Sequence, residues 1–103
     1  MSNYIISQEA QRELENIFLN TLEEWGEAQA DIYLDDLYRI INMLGNNPNL
    51  GRLRNEIRKG YRSFPQGSHI IFFAEHKKKT AILRVLHSSR DTEKIFQNYT
   101  PTF

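Results

Sequence analysis

From Ala10 onward, apolar positions recur at intervals of three and four: Leu14, Ile17, Phe18, Leu22 and Trp25, with Thr21 in the same stripe. That spacing predicts an amphipathic helix. Ser7 supplies an N-cap, Glu9 puts an anion in the first turn where the helix dipole favours it, and Gly26 ends the run. A second stripe, Ala30, Tyr33, Leu34, Leu37, Ile40, Ile41 and Leu44, predicts a helix from about Glu27 that stops at Gly45-Asn46-Asn47-Pro48. So short a join makes the two an antiparallel hairpin. Tyr4-Ile5-Ile6, ahead of them, reads as a short strand.

After Pro48 the periodicity changes. Pro48-Asn49-Leu50-Gly51 is expected to turn, and Ile57 to Phe64 to form a strand interrupted by Gly60. Pro65-Gln66-Gly67 signals a hairpin. His69–Ala74 is almost continuously apolar, as a strand buried on both faces should be. Lys77-Lys78-Lys79 marks a solvated turn, Thr80–His87 a further strand, and Ser88 or Ser89 the cap of a short helix through Phe96. The tail from about Gln97 is expected to be loose. The resulting class is α+β: an N-terminal strand and an antiparallel helix hairpin packed on a small antiparallel sheet, with a short C-terminal helix. The helices are expected on one sheet face, the other staying partly open.

Composition narrows the function. At 103 residues the chain has room for one domain, spanning 1–103, and one modest core. It has no cysteine, which excludes disulfides and thiolate chemistry, and no cofactor or metal is expected. No basic run followed by an apolar stretch opens the chain, and no apolar run approaches a membrane span, so a cytoplasmic location is expected. The formal net charge of zero hides a division. Residues 1–50 carry nine acids against two arginines; residues 51–103 carry eleven Lys or Arg against four acids. The halves would then present an acidic and a basic face, either to solvent alone or to partners.

Three segments together resemble the ParE branch of the RelE/ParE toxin superfamily: Trp25-Gly26-Glu27-Ala28-Gln29-Ala30-Asp31-Ile32-Tyr33; Asn47-Pro48-Asn49-Leu50-Gly51 leading into Arg58-Lys59-Gly60-Tyr61-Arg62-Ser63-Phe64; and Ser68–Phe73 followed by Arg84-Val85-Leu86-His87-Ser88-Ser89-Arg90-Asp91. Their order and spacing carry the likeness from about Tyr4 to Asp91, and the superfamily's fold is the one deduced above. The resemblance implies a toxin that binds DNA gyrase and traps its cleaved-DNA complex, with plasmid stabilisation as a known role of such pairs. It implies a ParD-type antitoxin, with a ribbon-helix-helix DNA-binding part and a disordered segment that folds around the toxin in a hetero-oligomer. DNA would be met only through antitoxin or gyrase.

Against that background Arg58, Tyr61, Arg62, Phe64, Arg84 and Arg90 are the candidate partner-binding residues. Arg58 and Arg62, an even number of residues apart on one expected strand, would face the same way and meet antitoxin carboxylates or a phosphate. Arg84 lies inside an apolar strand, where a charge needs a partner; that partner is either an acid of the helix layer or a bound molecule. His69, His76 and His87 are expected to be hydrogen-bonded structural residues, since no third metal ligand is spaced to join them. Under the gyrase reading no residue is catalytic. The alternative is a ribosome-dependent mRNA interferase, with His87, Arg62 and Arg84 as the acid–base set; a degenerate toxin that only binds its antitoxin is the third. Trp25 is expected to cover the end of the core, although an exposed Trp there would anchor a protein partner.

Overall fold

The computed structural model describes residues 3–103. In chain order the elements are β1 (Tyr4–Ile6), α1 (Gln8–Trp25), α2 (Glu27–Asn46), a 3-10 turn (Pro48–Leu50), β2 (Arg52–Leu53), β3 (Arg62–Gln66), β4 (His69–His76), β5 (Lys79–His87) and α3 (Thr92–Phe96). The strands form one sheet in the order β1-β5-β4-β3-β2. Only β1 and β5 run parallel, Tyr4 facing Thr80 and Ile6 facing Ile82. Parallel neighbours need a long connection, and the whole helix hairpin and meander supply it.

Both helices start and stop where the residues dictate. The Ser7 hydroxyl accepts the Ala10 N–H at 3.0 Å, capping α1. Gly26, at φ +90°, closes α1 through its N–H on the Leu22 carbonyl and opens α2 through its carbonyl on the Ala30 N–H. A one-residue join at positive φ is a place for glycine. From α1 and α2, Leu14, Ile17, Leu37, Ile41 and Leu44 pack onto Ile71, Phe73, Ile82 and Val85 of the sheet.

The opposite sheet face is covered as well, not partly open. Phe72, Ala81, Leu83 and Leu86 lie beneath Tyr61, Phe96 and Tyr99, with Phe96 meeting Phe72, Tyr61 and Tyr99 edge to face at 5.1–5.6 Å. The tail expected to be loose is therefore docked. The Gln8 N–H donates to the Thr102 carbonyl at 2.7 Å, and Tyr99 is 7% exposed.

Two further expectations give way. Residues 54–61 are not a strand: Arg54 and Tyr61 close a loop through Arg54 N–H on Tyr61 O, and the Asn55 side chain accepts the Gly60 N–H. Arg58 thus leaves the strand that was to hold it beside Arg62. The run Arg54–Lys59 lacks the alternation a paired strand needs, and its polar groups are satisfied locally. Strand β3 starts at Arg62 and continues through Pro65, which is tolerated because β2 reaches only as far as Ser63. Trp25 does not cover the core but stands 68% exposed. The buried stripe of α1 ends at Ile17, so the last two turns extend past the sheet.

A bulge shapes β5. Phe72 faces Arg84 while Phe73 faces Ile82, leaving Leu83 as the inserted residue. Its carbonyl, on an edge that β1 no longer covers, accepts from the Ser7 hydroxyl at 2.7 Å and from the Tyr99 hydroxyl at 2.8 Å. Ser7→Ala should cost about 1–2 kcal/mol through the lost cap, and Tyr99→Phe about 1 kcal/mol, in urea unfolding. Because each single variant leaves Leu83 one donor, the double variant should lose more than the sum. Additive losses would show that the two donors do not share that carbonyl.

Candidate functional site

The candidate residues do not converge on one patch. Arg84 is bound to Glu13 of α1: Nε and Nη2 approach Oε2 at 2.9 and 2.6 Å. The other Glu13 oxygen accepts the Val85 N–H at 2.9 Å, so one carboxylate serves a guanidinium and the bulged strand edge together. Burial alone would lower the Arg84 pKa, but its bonds to Glu13 and that carboxylate's charge outweigh burial and raise it. Of the two readings for Arg84, the structure gives the internal ion pair.

Arg58 is also occupied with the fold. Its guanidinium donates to the Tyr99 carbonyl at 2.8 Å, the Phe96 carbonyl at 3.3 Å and the Tyr61 hydroxyl at 3.2 Å. Arg84 lies 5.3 Å from the centre of the Tyr99 ring. Arg58, Tyr61 and Arg84 therefore gather around Tyr99 and hold the C-terminal segment on the sheet. Glu9 completes the clasp: the single Tyr99 phenol proton is shared between the Leu83 carbonyl and Glu9 Oε1, 2.9 Å away, and Glu9 also accepts the Thr102 N–H at 3.0 Å. Burial pushes the Glu9 carboxyl up, yet those hydrogen bonds prevail and hold it below the usual range. The Tyr99 phenol is raised well above its ordinary value, burial first and the Glu9 interaction after it.

Arg62 and Phe64 sit on the other face. Arg62 donates to the Gly51 carbonyl at 2.8 Å, and Phe64 packs at the margin of the helix-side core. Arg90 is exposed just beyond β5. The sequence marked Ser7 and Glu9 only as helix-start residues and did not single out Glu13 or Tyr99. Glu9 and Glu13 are four apart on α1 and hence share a face, a signal that two acids sit together. What they answer lies more than 70 residues away.

His69 and His87 face each other across β4 and β5, rings edge to face at 5.5 Å. The Tyr33 hydroxyl donates to the Gln66 carbonyl at 3.0 Å and lies 2.7 Å from His69 Nδ1. With the phenol proton used on Gln66, His69 Nδ1–H is the donor of that second bond. His87 Nδ1 accepts the Ser89 N–H at 3.1 Å. Together with Trp25 and Tyr33 they line a cleft of about 980 Å³ between the hairpin tip and the sheet end. His76 is stacked on Phe103 at 4.6 Å. Among the described residues no group of three or more His, Cys, Asp or Glu is placed to hold a metal ion.

Two measurements test this geometry. Glu13→Ala leaves Arg84 without its counter-charge and Val85 without its acceptor, and should cost about 2–3 kcal/mol in urea unfolding; Glu13→Gln, which keeps an oxygen, should cost less. Burial, then the charge of His87, holds the His69 pKa below its ordinary value. The unfolded chain then binds the extra proton, so this contribution is full above pH ~6.5 and is lost as pH falls through the folded pKa. The urea midpoint should drop from pH 7.5 to 5.5, and less steeply in His69→Gln.

Comparison with known proteins places this geometry. The family of the ParE toxin of type II toxin–antitoxin systems, parDE, matches residues 4–92. Toxin ParE1 of Mycobacterium tuberculosis is 39% identical over 94 residues, covering 90% of this chain and 96% of that protein. Toxin ParE1 of Caulobacter vibrioides is 34% identical over 89 residues, covering 86% and 92%. A chain of the solved chromosomal ParDE system from P. aeruginosa superimposes with a TM-score of 0.71 over 82% of this chain and 92% of its own, at 20% identity, which speaks to the fold alone. By its matched span and its relatives, the chain belongs to the ParE toxin family, the toxin half of a type II toxin–antitoxin system.

Proposed function

We propose that the protein acts in the bacterial cytoplasm as a binding poison of DNA gyrase, trapping the cleaved-DNA complex, and is neutralised by a ParD-type antitoxin. The observation that carries a binding rather than a hydrolytic mode is the dispersal of the groups that RNA cleavage would need. Arg84 is committed to Glu13 and turned toward Tyr99. His87 stands beside His69 at one end of the sheet, whereas Arg62 faces Phe73, four residues along β4 from His69. That offset is about 13 Å along the strand, and the Arg62 guanidinium is engaged by the Gly51 carbonyl at 2.8 Å. The gyrase itself would do the covalent chemistry.

An antitoxin segment has a place to fold. The outer seam of the helix hairpin opens into an apolar cleft of about 310 Å³ between Phe18, Leu19, Leu34 and Tyr38. A disordered segment pays its ordering entropy on binding, and apolar anchors in such a cleft offset it.

Purified protein added to gyrase, ATP and relaxed plasmid should block supercoiling and accumulate cleaved DNA, while mRNA on ribosomes stays whole. His87→Gln should still arrest growth when induced without antitoxin, at matched protein level. Cleavage of ribosome-bound mRNA with gyrase unaffected, slowed by about 10²–10⁴ in a soluble His87→Gln as the loss of an acid–base group requires, would transfer the protein to the interferases.

A further inference from the structure

The tip of the helix hairpin breaks two local rules at once. Trp25, the single tryptophan of the chain, is left 68% exposed. Glu23 and Glu24 occupy the last turn of α1, which holds no basic residue, so two carboxylates face the negative end of the helix dipole. Neither makes a salt bridge among the described residues. Choices that work against local stability without an internal gain point to a gain made outside the fold. The three residues rim the cleft of about 980 Å³ whose walls include Tyr33, His69 and His87 and hold no Lys or Arg.

We infer that this cleft is the docking site for the toxin's protein target, and that it receives an arginine-bearing surface loop. An indole and two carboxylates on the rim of one cleft offer a guanidinium-bearing loop both of the interactions it uses best, stacking on the ring and charge-assisted hydrogen bonds. The nearest element of the sheet contributes imidazoles rather than cations. The charge of the site selects its occupant. A basic loop is attracted, whereas an apolar stretch of the antitoxin segment fits the cleft at Phe18, Leu34 and Tyr38 on the outer seam better. Target and antitoxin then take different parts of the helix hairpin. The inference rests on the proposed function only in naming gyrase as the protein that carries the loop.

The test uses the full chain labelled with 5-fluorotryptophan, which gives one fluorine resonance because Trp25 stands alone. A tetra-arginine peptide at low salt should move that line; tetra-glutamate should not, and added salt should reverse the effect. The Glu23→Lys/Glu24→Lys variant should abolish the response. An unmoved line, or an equal response in that variant, overturns the site. In the gyrase assay Trp25→Ala should lose inhibition by roughly 30-fold or more, the loss typical of a central aromatic anchor. Its melting temperature and antitoxin affinity should stay at the native values. Full inhibition by Trp25→Ala, or weakened antitoxin binding by either variant, overturns the assignment to the target. If tetra-arginine binds as described while the native protein leaves gyrase untouched, the gyrase reading falls and the arginine site stands.

Discussion

The free edge of β5 is the constraint on which the rest of the structure depends. Strand β1 covers that edge only as far as Ile82, and the chain then leaves the sheet to begin α1. The backbone groups beyond it lie in the interior and must find partners, since an unpaired buried carbonyl or N–H costs as much as a broken hydrogen bond. Side chains take the place of a strand: Ser7 and Tyr99 on the Leu83 carbonyl, Glu13 on the Val85 N–H. The bulge at Leu83 turns those groups toward α1 and the C-terminal segment. Three parts of the chain distant in sequence are thereby joined at one point.

That junction also settles where the basic residues go. Once Glu13 is held by Val85, Arg84 completes the pair, and this is the one salt bridge among the described residues that ties the acidic half to the basic half. Arg58 is drawn to the same place by the carbonyls of Phe96 and Tyr99. Two of the cations that look most available in a list of residues are thus spent on keeping the C-terminal segment in place. A half-buried guanidinium with a counter-charge is stable, and one without it is not.

Surfaces that the fold does not use for itself are more telling than the arginines. The outer seam between α1 and α2 is apolar, and the hairpin tip is aromatic and acidic. The tip arises because α1 runs past its last buried residue, Ile17, and carries its remaining turns into solvent. A helix hairpin longer than its sheet needs is stable only if its own packing suffices, which Ala30 and Leu37 provide. Its extra length is then free to meet other molecules.

Much of the fold was legible in the residues themselves. Ser7, Gly26 and the two apolar stripes set both helices, the unbroken apolar run His69–Ala74 set the central strand, and three ordered segments carried the family likeness. These are local signals, written in periodicity and in the few residues that tolerate caps and tight joins. Pairings across long stretches of chain were not legible. No spacing shows that Glu13 meets Arg84, that Tyr99 closes the strand edge, or that Arg58 leaves the sheet for a loop. The exposure of Trp25 was misjudged for the same reason: the stripe gives the direction of a side chain around its helix, and only the length of the sheet beneath decides whether anything is there to bury it.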